Sequence, residues 1–143
     1  MLNENIDLLK KIDETIKIRI ITKIGKEVIL NFDNEQFNRL FFNLIKNSIE
    51  SIKEKDKKTN KSLKNIDIEI NQRRDYITVN LEDTGEGFKN KTTKDIIKPY
   101  YTTKEKGTGL GLSIVDKIIN DHNGSIKFLN TKNGAKVQIV IPK

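Results

Sequence analysis

Apolar residues recur at helical spacing in two stretches of the chain. In the first stretch, about residues 34–54, they are Phe37, Leu40, Phe41, Leu44, Ile45, Ile49 and Ile52. Asp33 precedes this stretch and Gln36 follows three residues later, an arrangement typical of a capped helix start. In the second stretch, residues 110–122, they are Leu110, Ile114, Val115, Ile118 and Ile119. The pattern predicts a long helix and a shorter one, with Asn123 and Gly124 ending the second.

Alternation of apolar and polar residues predicts strands in the rest of the chain. It occurs at residues 16–22, 66–70 and 76–81. Short strands are also predicted at 28–32 and, on either side of an Asn133–Gly134 turn, at 125–129 and 136–141. Residues 1–14 are typical of a helix end. The lysine-rich stretch up to about residue 64 and the glycine-containing stretch at 84–109 are predicted to be loops. These elements favour an α+β fold with one mixed sheet and helices packed on one face.

The composition excludes several classes of protein. The 143 residues suffice for one domain, and the apolar runs are far shorter than a membrane-spanning helix. With no cysteine and one histidine, the sequence excludes disulfides and cysteine- or histidine-based metal clusters. The net charge of +7 includes +4 from residues 53–64, which contain six lysines. We therefore expect a solvated basic surface, no nucleic acid partner and a cytoplasmic location.

Two asparagines on the predicted long helix form the first group with chemical meaning. Asn43 and Asn47 lie one turn apart, at the edge of the apolar stripe. An asparagine offers a neutral oxygen to Mg²⁺ and amide hydrogens to phosphate oxygens. The spacing suits a Mg–triphosphate at the helix surface, although two exposed asparagines in an asparagine-rich chain would have the same pattern.

Two glycine-containing motifs follow. In DTGEG, residues 83–87, Asp83 can accept a hydrogen bond from an exocyclic amine such as that of adenine, and the glycines let backbone approach a flat ring. GTGLGL, residues 107–112, leads into the second helix, whose first N–H groups can bind phosphate. It matches neither the G-x-G-x-x-G dinucleotide motif nor a P-loop. The order of all three groups is more specific than any one of them.

In this order, the motifs resemble the ATP-binding catalytic domain of bacterial sensor histidine kinases. That domain belongs to a wider ATPase family with Hsp90, type II topoisomerases and mismatch-repair proteins. Residues 43–51 (NLIKNSIES) resemble its N box, residues 83–87 its G1 box and residues 107–112 its G2 box. The sequence PYYTTK at 99–104, followed by GTGLGLSIV, resembles the nitrogen-regulation branch. The resemblance implies a Bergerat-type two-layer α/β sandwich with a mixed, mostly antiparallel sheet over residues 16–143.

The resemblance also implies a role for each matching residue. Asn47 would coordinate Mg²⁺ and Asn43 would support the phosphates or the metal. Asp83 would bind the adenine amino group, and Gly85 and Gly87 would shape the base pocket. An ATP lid would lie at about residues 88–108. The remaining ATP contacts would come from the lid and the G2 box, through Thr102, Thr103, Lys104, Gly107, Thr108, Gly109, Leu110, Gly111 and Leu112.

Several positions depart from the family pattern. Ile97 stands where the lid usually carries phenylalanine, so we expect softer anchoring of the lid. Glu50 and Ser51 stand where many relatives have a lysine and an aromatic residue, so Lys46 or Lys104 would supply the positive charge near phosphate. The one histidine, His122, matches a structural turn at the end of the second helix. We therefore interpret the chain as a fragment without its phosphoacceptor histidine, in which residues 1–15 are the tail of a helix from a dimerisation domain.

The implied function is to bind MgATP and to donate its γ-phosphate to a histidine of that dimerisation domain. The full protein would act in two-component signalling with a response regulator, as a cytoplasmic part of a chain that can be anchored in the inner membrane. The fragment itself would be a monomer. Two alternatives stay open, namely a stand-alone serine kinase of the anti-sigma type and a non-catalytic nucleotide-binding module. An ATPase clamp is disfavoured because those relatives carry a glutamate base where this chain has Asn43.

Overall fold

The helices and strands lie close to the positions that the sequence pattern predicts. The computed structural model describes residues 7, 10–11, 13–25, 33–59, 63–89, 93–97 and 111–143. Its helices are α1 (Asn34–Thr59), α2 (Thr93–Ile96) and α3 (Gly111–Asp121). Its strands are β1 (Lys17–Lys23), β2 (Asn65–Gln72), β3 (Tyr76–Asp83), β4 (Ser125–Asn130) and β5 (Ala135–Pro142). The strand predicted at 28–32 and most of the helix predicted at 1–14 lie outside the described residues.

The five strands form one mixed sheet in the order β1-β2-β3-β5-β4. Strand β1 pairs with β2 in parallel, which α1 makes possible by connecting them as a crossover. The β2–β3, β3–β5 and β4–β5 pairs are antiparallel. The predicted mixed, mostly antiparallel sheet is confirmed, and β3 lies at its centre.

The core lies between this sheet and the apolar faces of α1 and α3. Strands β2, β3 and β5 alternate buried and partly exposed residues, so one face of the sheet turns inward. The outer face carries cross-strand ion pairs such as Arg19–Asp67 at 3.0 Å and Lys23–Glu69 at 3.1 Å. The most deeply buried large side chains are Phe41, Leu40, Leu44, Ile45, Ile49, Ile52, Ile66, Ile68, Leu81, Ile96 and Ile119.

Two loop predictions were wrong in part. Helix α1 continues through much of the lysine-rich stretch and ends at Thr59, not near residue 54. The predicted long loop contains the short helix α2, whose last residue, Ile96, is buried in the core. Within the part of the chain that the structure describes, no helix has the length and apolar character needed to cross a membrane.

The predicted start of α1 and the predicted end of α3 are confirmed. The Asp33 carboxylate accepts a hydrogen bond from the Glu35 amide at 2.8 Å, which caps the start of α1. At the end of α3, Asn123 adopts a left-handed φ of 58° and the Gly124 amide donates to the Ile119 carbonyl at 2.9 Å. His122 belongs to this turn, and its Nδ1 lies 2.7 Å from the Ile118 carbonyl oxygen.

Candidate functional site

Asp83 is a buried carboxylate at the end of the central strand. Its register places it opposite Ile66 of β2 and Ala135 of β5, so the backbone is held on both sides. Its side chain is 6% exposed. Its Oδ2 accepts a hydrogen bond from the Ser48 hydroxyl at 2.7 Å, and its Oδ1 accepts one from the Gly85 amide at 2.9 Å. The two donors compensate part of the cost of removing the carboxylate from water.

The glycine motif after Asp83 packs directly on helix α1. A Cβ atom added to Gly85 would lie 2.3 Å from the Ser51 Oγ atom and 2.7 Å from the Ser51 Cβ atom. The same Ser51 hydroxyl accepts a hydrogen bond from the Glu86 amide at 2.9 Å. A glycine and a small polar residue are therefore needed together, because a larger side chain at either position would separate the loop from the helix.

The β4–β5 turn supports the same loop from its other side. The Asn130 side-chain oxygen accepts a hydrogen bond from the Phe88 amide at 2.7 Å. Gly87 adopts a left-handed φ of 75°, which glycine tolerates without strain. A Cβ on Gly134 would lie 2.1 Å from the Asp83 carbonyl oxygen, so the turn passes close to the strand end. Helix α1 and the β4–β5 turn therefore hold this loop from two sides.

Asn43, the first of the two asparagines on α1, lies beside the start of α3. The Asn43 side chain is half-buried, and its Nδ2 donates to the Arg39 carbonyl at 2.9 Å. Its Oδ1 lies 3.5 Å from the position that a Cβ on Gly111 would occupy. Asn47, one turn further along, is also half-buried. The structure thus brings Asn43 of the N box next to Gly111, the G2-box residue at which α3 begins.

Part of the predicted ATP site cannot be placed. Leu112 is partly buried and packs against the core next to Gly111. The other predicted lid and G2 residues lie outside the described residues: Thr102, Thr103, Lys104, Gly107, Thr108, Gly109 and Leu110. Of the predicted ATP site, the structure therefore describes the two asparagines of α1, the loop that follows Asp83 and the start of α3.

Lysines surround Glu86, the second acidic residue of the motif at 83–87. Glu86 pairs with Lys58 of α1 and lies 3.8 Å from the ammonium group of Lys89. The hydrogen bond from Lys58, and then the nearby positive charges, hold the pKa of the Glu86 carboxyl below its usual range. A cleft of about 450 Å³ lies between this loop, Lys55 and the β4–β5 turn. Its rim is positively charged, which favours anions near this side of the loop.

The departures from the family pattern have local explanations. Ser51, where relatives carry an aromatic residue, contacts the loop backbone through its hydroxyl. Ile97 packs partly against the core beside the fully buried Ile96, so two aliphatic side chains fill this region. Sequence reasoning did not identify Ser48 as the partner of Asp83. Its signal was a polar residue at the centre of an apolar stripe, which calls for a buried hydrogen-bond partner.

Comparisons with known proteins agree with this arrangement. A family model described as "Histidine kinase-, DNA gyrase B-, and HSP90-like ATPase" matches residues 32–143. Sporulation kinase A of Bacillus subtilis is 37% identical to this chain over 128 residues, which cover 88% of this chain and 20% of that protein. A putative sensor histidine kinase NtrY-like protein of Rickettsia bellii is 28% identical over 93% of this chain and 22% of its own length. A solved structure of the catalytic domain of histidine kinase ThkA has a TM-score of 0.81 and 27% identity, and the match covers 99% of this chain and 90% of that one.

These findings confirm the predicted fold, the resemblance to sensor histidine kinases and its nitrogen-regulation-like branch. The predicted enzyme class, a protein histidine kinase catalytic domain, agrees with the names of the relatives and of the solved structure. The chain spans less than a quarter of either curated relative. The family model covers well over half of the chain, and the chain therefore belongs to the histidine kinase-, DNA gyrase B- and HSP90-like ATPase family.

Proposed function

We propose that the chain binds MgATP and donates the γ-phosphate to a histidine on a separate dimerisation domain of the same kinase. One observation carries the proposal. The buried, hydrogen-bonded Asp83 carboxylate and the half-buried Asn43 and Asn47 belong to one helix–sheet interface, with the start of α3 beside Asn43. In the proposal, Asp83 is the acceptor that reads the base, and the two asparagines are the amides that bind phosphate or metal.

Each described residue has a definite part in this proposal. Asp83 accepts a hydrogen bond from the adenine 6-amino group, and the loop at Gly85 and Gly87 forms one wall of the base pocket. Asn47 offers its side-chain oxygen to Mg²⁺, with Asn43 beside it. A half-buried neutral amide fits that ion, because Mg²⁺ on a nucleotide takes few protein ligands and keeps phosphate oxygens and water. When bound, the ion would neutralise charge on the phosphates.

The chemistry is phosphoryl transfer from ATP to an imidazole nitrogen. The bond between the γ-phosphorus and the β–γ bridging oxygen breaks, a phosphorus–nitrogen bond forms and ADP leaves. Such transfer depends on positioning and on stabilising negative charge. We propose that the backbone amides of the G2 box and the side chain of Lys104 supply part of that charge stabilisation. The phosphohistidine would then serve a response regulator in the full protein, and the names of the relatives favour this over a serine kinase.

The first test is calorimetric titration with a non-hydrolysable ATP analogue, with and without Mg²⁺. We expect the wild-type chain to bind the analogue, Asp83→Asn to abolish binding and Asn47→Ala to remove the dependence on Mg²⁺. Matched controls are Asp75→Asn, in an exposed turn, and Asn120→Ala, on the exposed side of α3. Both controls should bind as the wild type does. Absence of binding to the wild-type chain, or unchanged binding by Asp83→Asn, would contradict the proposal.

A second measurement distinguishes the kinase classes. The chain is mixed with a dimerisation domain from a sporulation or nitrogen-regulation kinase relative and with ATP labelled at the γ-phosphate. We expect label on that domain in an acid-labile form, as a phosphorus–nitrogen bond requires. Acid-stable label would indicate a hydroxyl acceptor and the serine kinase alternative.

A further inference from the structure

Ser48 is a buried polar residue whose hydroxyl is committed to one partner. Its side chain is 3% exposed and lies among the apolar residues of α1 that face the sheet. Its Oγ donates to the Asp83 Oδ2 at 2.7 Å. Among the residues that the structure describes, Ser48 and Asp83 are the two polar or charged residues that are buried. A hydrogen bond between two such groups is worth more than one at the surface.

Two donors hold the two oxygens of the Asp83 carboxylate. A hydroxyl and a backbone amide each donate to a different carboxylate oxygen. Donors favour the ionised form, which accepts hydrogen bonds and has no proton to donate. Because each oxygen has its own donor, rotation of the carboxylate plane would break both bonds. A carboxylate can accept more than two hydrogen bonds, so this arrangement is compatible with a further donor from a ligand.

We propose that Ser48 is a positioning residue that sets base selectivity through Asp83. By donating to Oδ2, it keeps the carboxylate an oriented acceptor, which matches a 6-amino purine and opposes a 6-oxo purine. The inference rests on the proposed nucleotide function and extends it to a residue that need not touch the ligand. Without Ser48, the carboxylate can rotate or take up a proton, and a protonated acid can donate to a 6-oxo group.

Ser51 provides a matched control on the same helix. It lies three residues after Ser48 and also bonds the loop, but its hydroxyl accepts from the Glu86 backbone amide. Removal of either hydroxyl loosens the contact between α1 and the loop. Only removal of the Ser48 hydroxyl takes a donor from the carboxylate itself. General loosening and loss of base reading can therefore be separated.

The experiment measures dissociation constants for ADP and IDP, which differ at position 6 of the purine and its adjoining nitrogen. We expect the wild-type chain to prefer ADP. In Ser48→Ala and in the nearly isosteric Ser48→Cys, the preference should fall about tenfold, the size expected for a hydrogen bond to a charged group. Ser51→Ala should weaken the binding of ADP and IDP alike and leave the ratio of their dissociation constants within about twofold of the wild-type ratio. Ser48→Thr, which keeps a hydroxyl, should retain most of the preference.

The outcomes separate this inference from the function on which it rests. A wild-type chain that binds neither diphosphate contradicts the proposed function itself. A wild-type chain that binds both equally well refutes base reading by Asp83, and with it the role of Ser48. A normal ADP preference in folded Ser48→Cys, or an equal loss in Ser51→Ala, refutes the positioning role alone. Circular dichroism of each variant confirms that the folded state is being compared.

Discussion

The two parts of helix α1 are held in different ways. All of its buried residues lie between Leu40 and Ile52. The last turns, residues 53–59, have no buried side chain. They are instead attached through charged groups, with the Lys55 ammonium donating to the Asn133 carbonyl at 2.8 Å and Lys58 pairing with Glu86. Both parts contact the loop at 83–88, but one does so through the core and the other across the surface.

The difference teaches that apolar periodicity predicts burial and does not predict helix length. After Ile52, the stripe stops, yet the backbone continues as helix because lysine and glutamate are good helix formers. A Lys57–Glu54 pair at 3.2 Å and a Lys64–Asp56 pair at 3.0 Å add support. Exposed pairs of this kind contribute little each. The first part of α1 should therefore dominate stability, and the last part should respond to salt and pH.

The largest effect is expected from Ile52→Ala. This side chain is fully buried, and its removal should lower the free energy of unfolding by about 2–5 kcal/mol through lost apolar burial and a cavity. Urea denaturation measures the change. Lys53→Ala, at the exposed next position, is the control and should be close to neutral. Equal losses in the two variants would remove the distinction between the parts of the helix.

A smaller effect is expected from Gly85→Ala, at the point where the two parts of α1 meet. The added Cβ would overlap Ser51, so the loop must move and the Glu86 amide loses its partner. We expect a loss of about 1–3 kcal/mol in the free energy of unfolding, with weaker nucleotide binding. Gly25→Ala is the control, since its Cβ would lie 3.4 Å from the Gln72 Oε1 atom. A neutral Gly85→Ala would mean that the loop is not fixed by the helix.

The smallest effect is expected from Lys58→Gln, in the last part of α1. Because the folded state lowers the pKa of Glu86, the ion pair stabilises the chain above the ordinary pKa of glutamate, about 4.3, and is lost as the pH falls below it. The raised pKa of Lys58 means that this stabilisation also disappears at strongly alkaline pH. Denaturation of both proteins at neutral pH should show a small difference that vanishes in high salt and in acid. A difference that persists in acid would point to packing of the lysine stem.

Most of the fold was predictable because its elements carry strong local signals. Ile66, Ile68 and Ile70 alternate with polar residues, and the Asn133–Gly134 turn precedes β5, so β2 and the β4–β5 hairpin follow from local pattern. The order of strands in the sheet is set by long-range pairing, such as Lys17 with Asn65, which no short motif reveals. The end of α1 and the helix α2 were missed because surface charge and a single buried isoleucine hold them.

The candidate site was predictable as a set of motifs but not as a set of contacts. Asp83, Gly85 and Asn43 were identified from spacing and resemblance, and their binding roles stay predictions. The Asp83 carboxylate is bonded by Ser48 on a helix, and its backbone is closely approached by Gly134 in a distant turn. Such contacts depend on tertiary packing, so a single sequence indicates them only through a polar residue in an apolar stripe.

The support of Asp83 also couples ligand binding to folding. Ser48 lies 35 residues from Asp83 along the chain, and Gly134 approaches it from the β4–β5 turn. These segments meet only in the native state, so a ligand that needs them together binds that state alone. Once the ligand concentration exceeds the dissociation constant, each further tenfold increase in ligand concentration adds about 1.4 kcal/mol to the free energy of unfolding. Under the proposed function, nucleotide affinity and domain stability are linked by mass action, and we expect a substitution that loosens α1 to lower affinity even when it lies outside the proposed pocket.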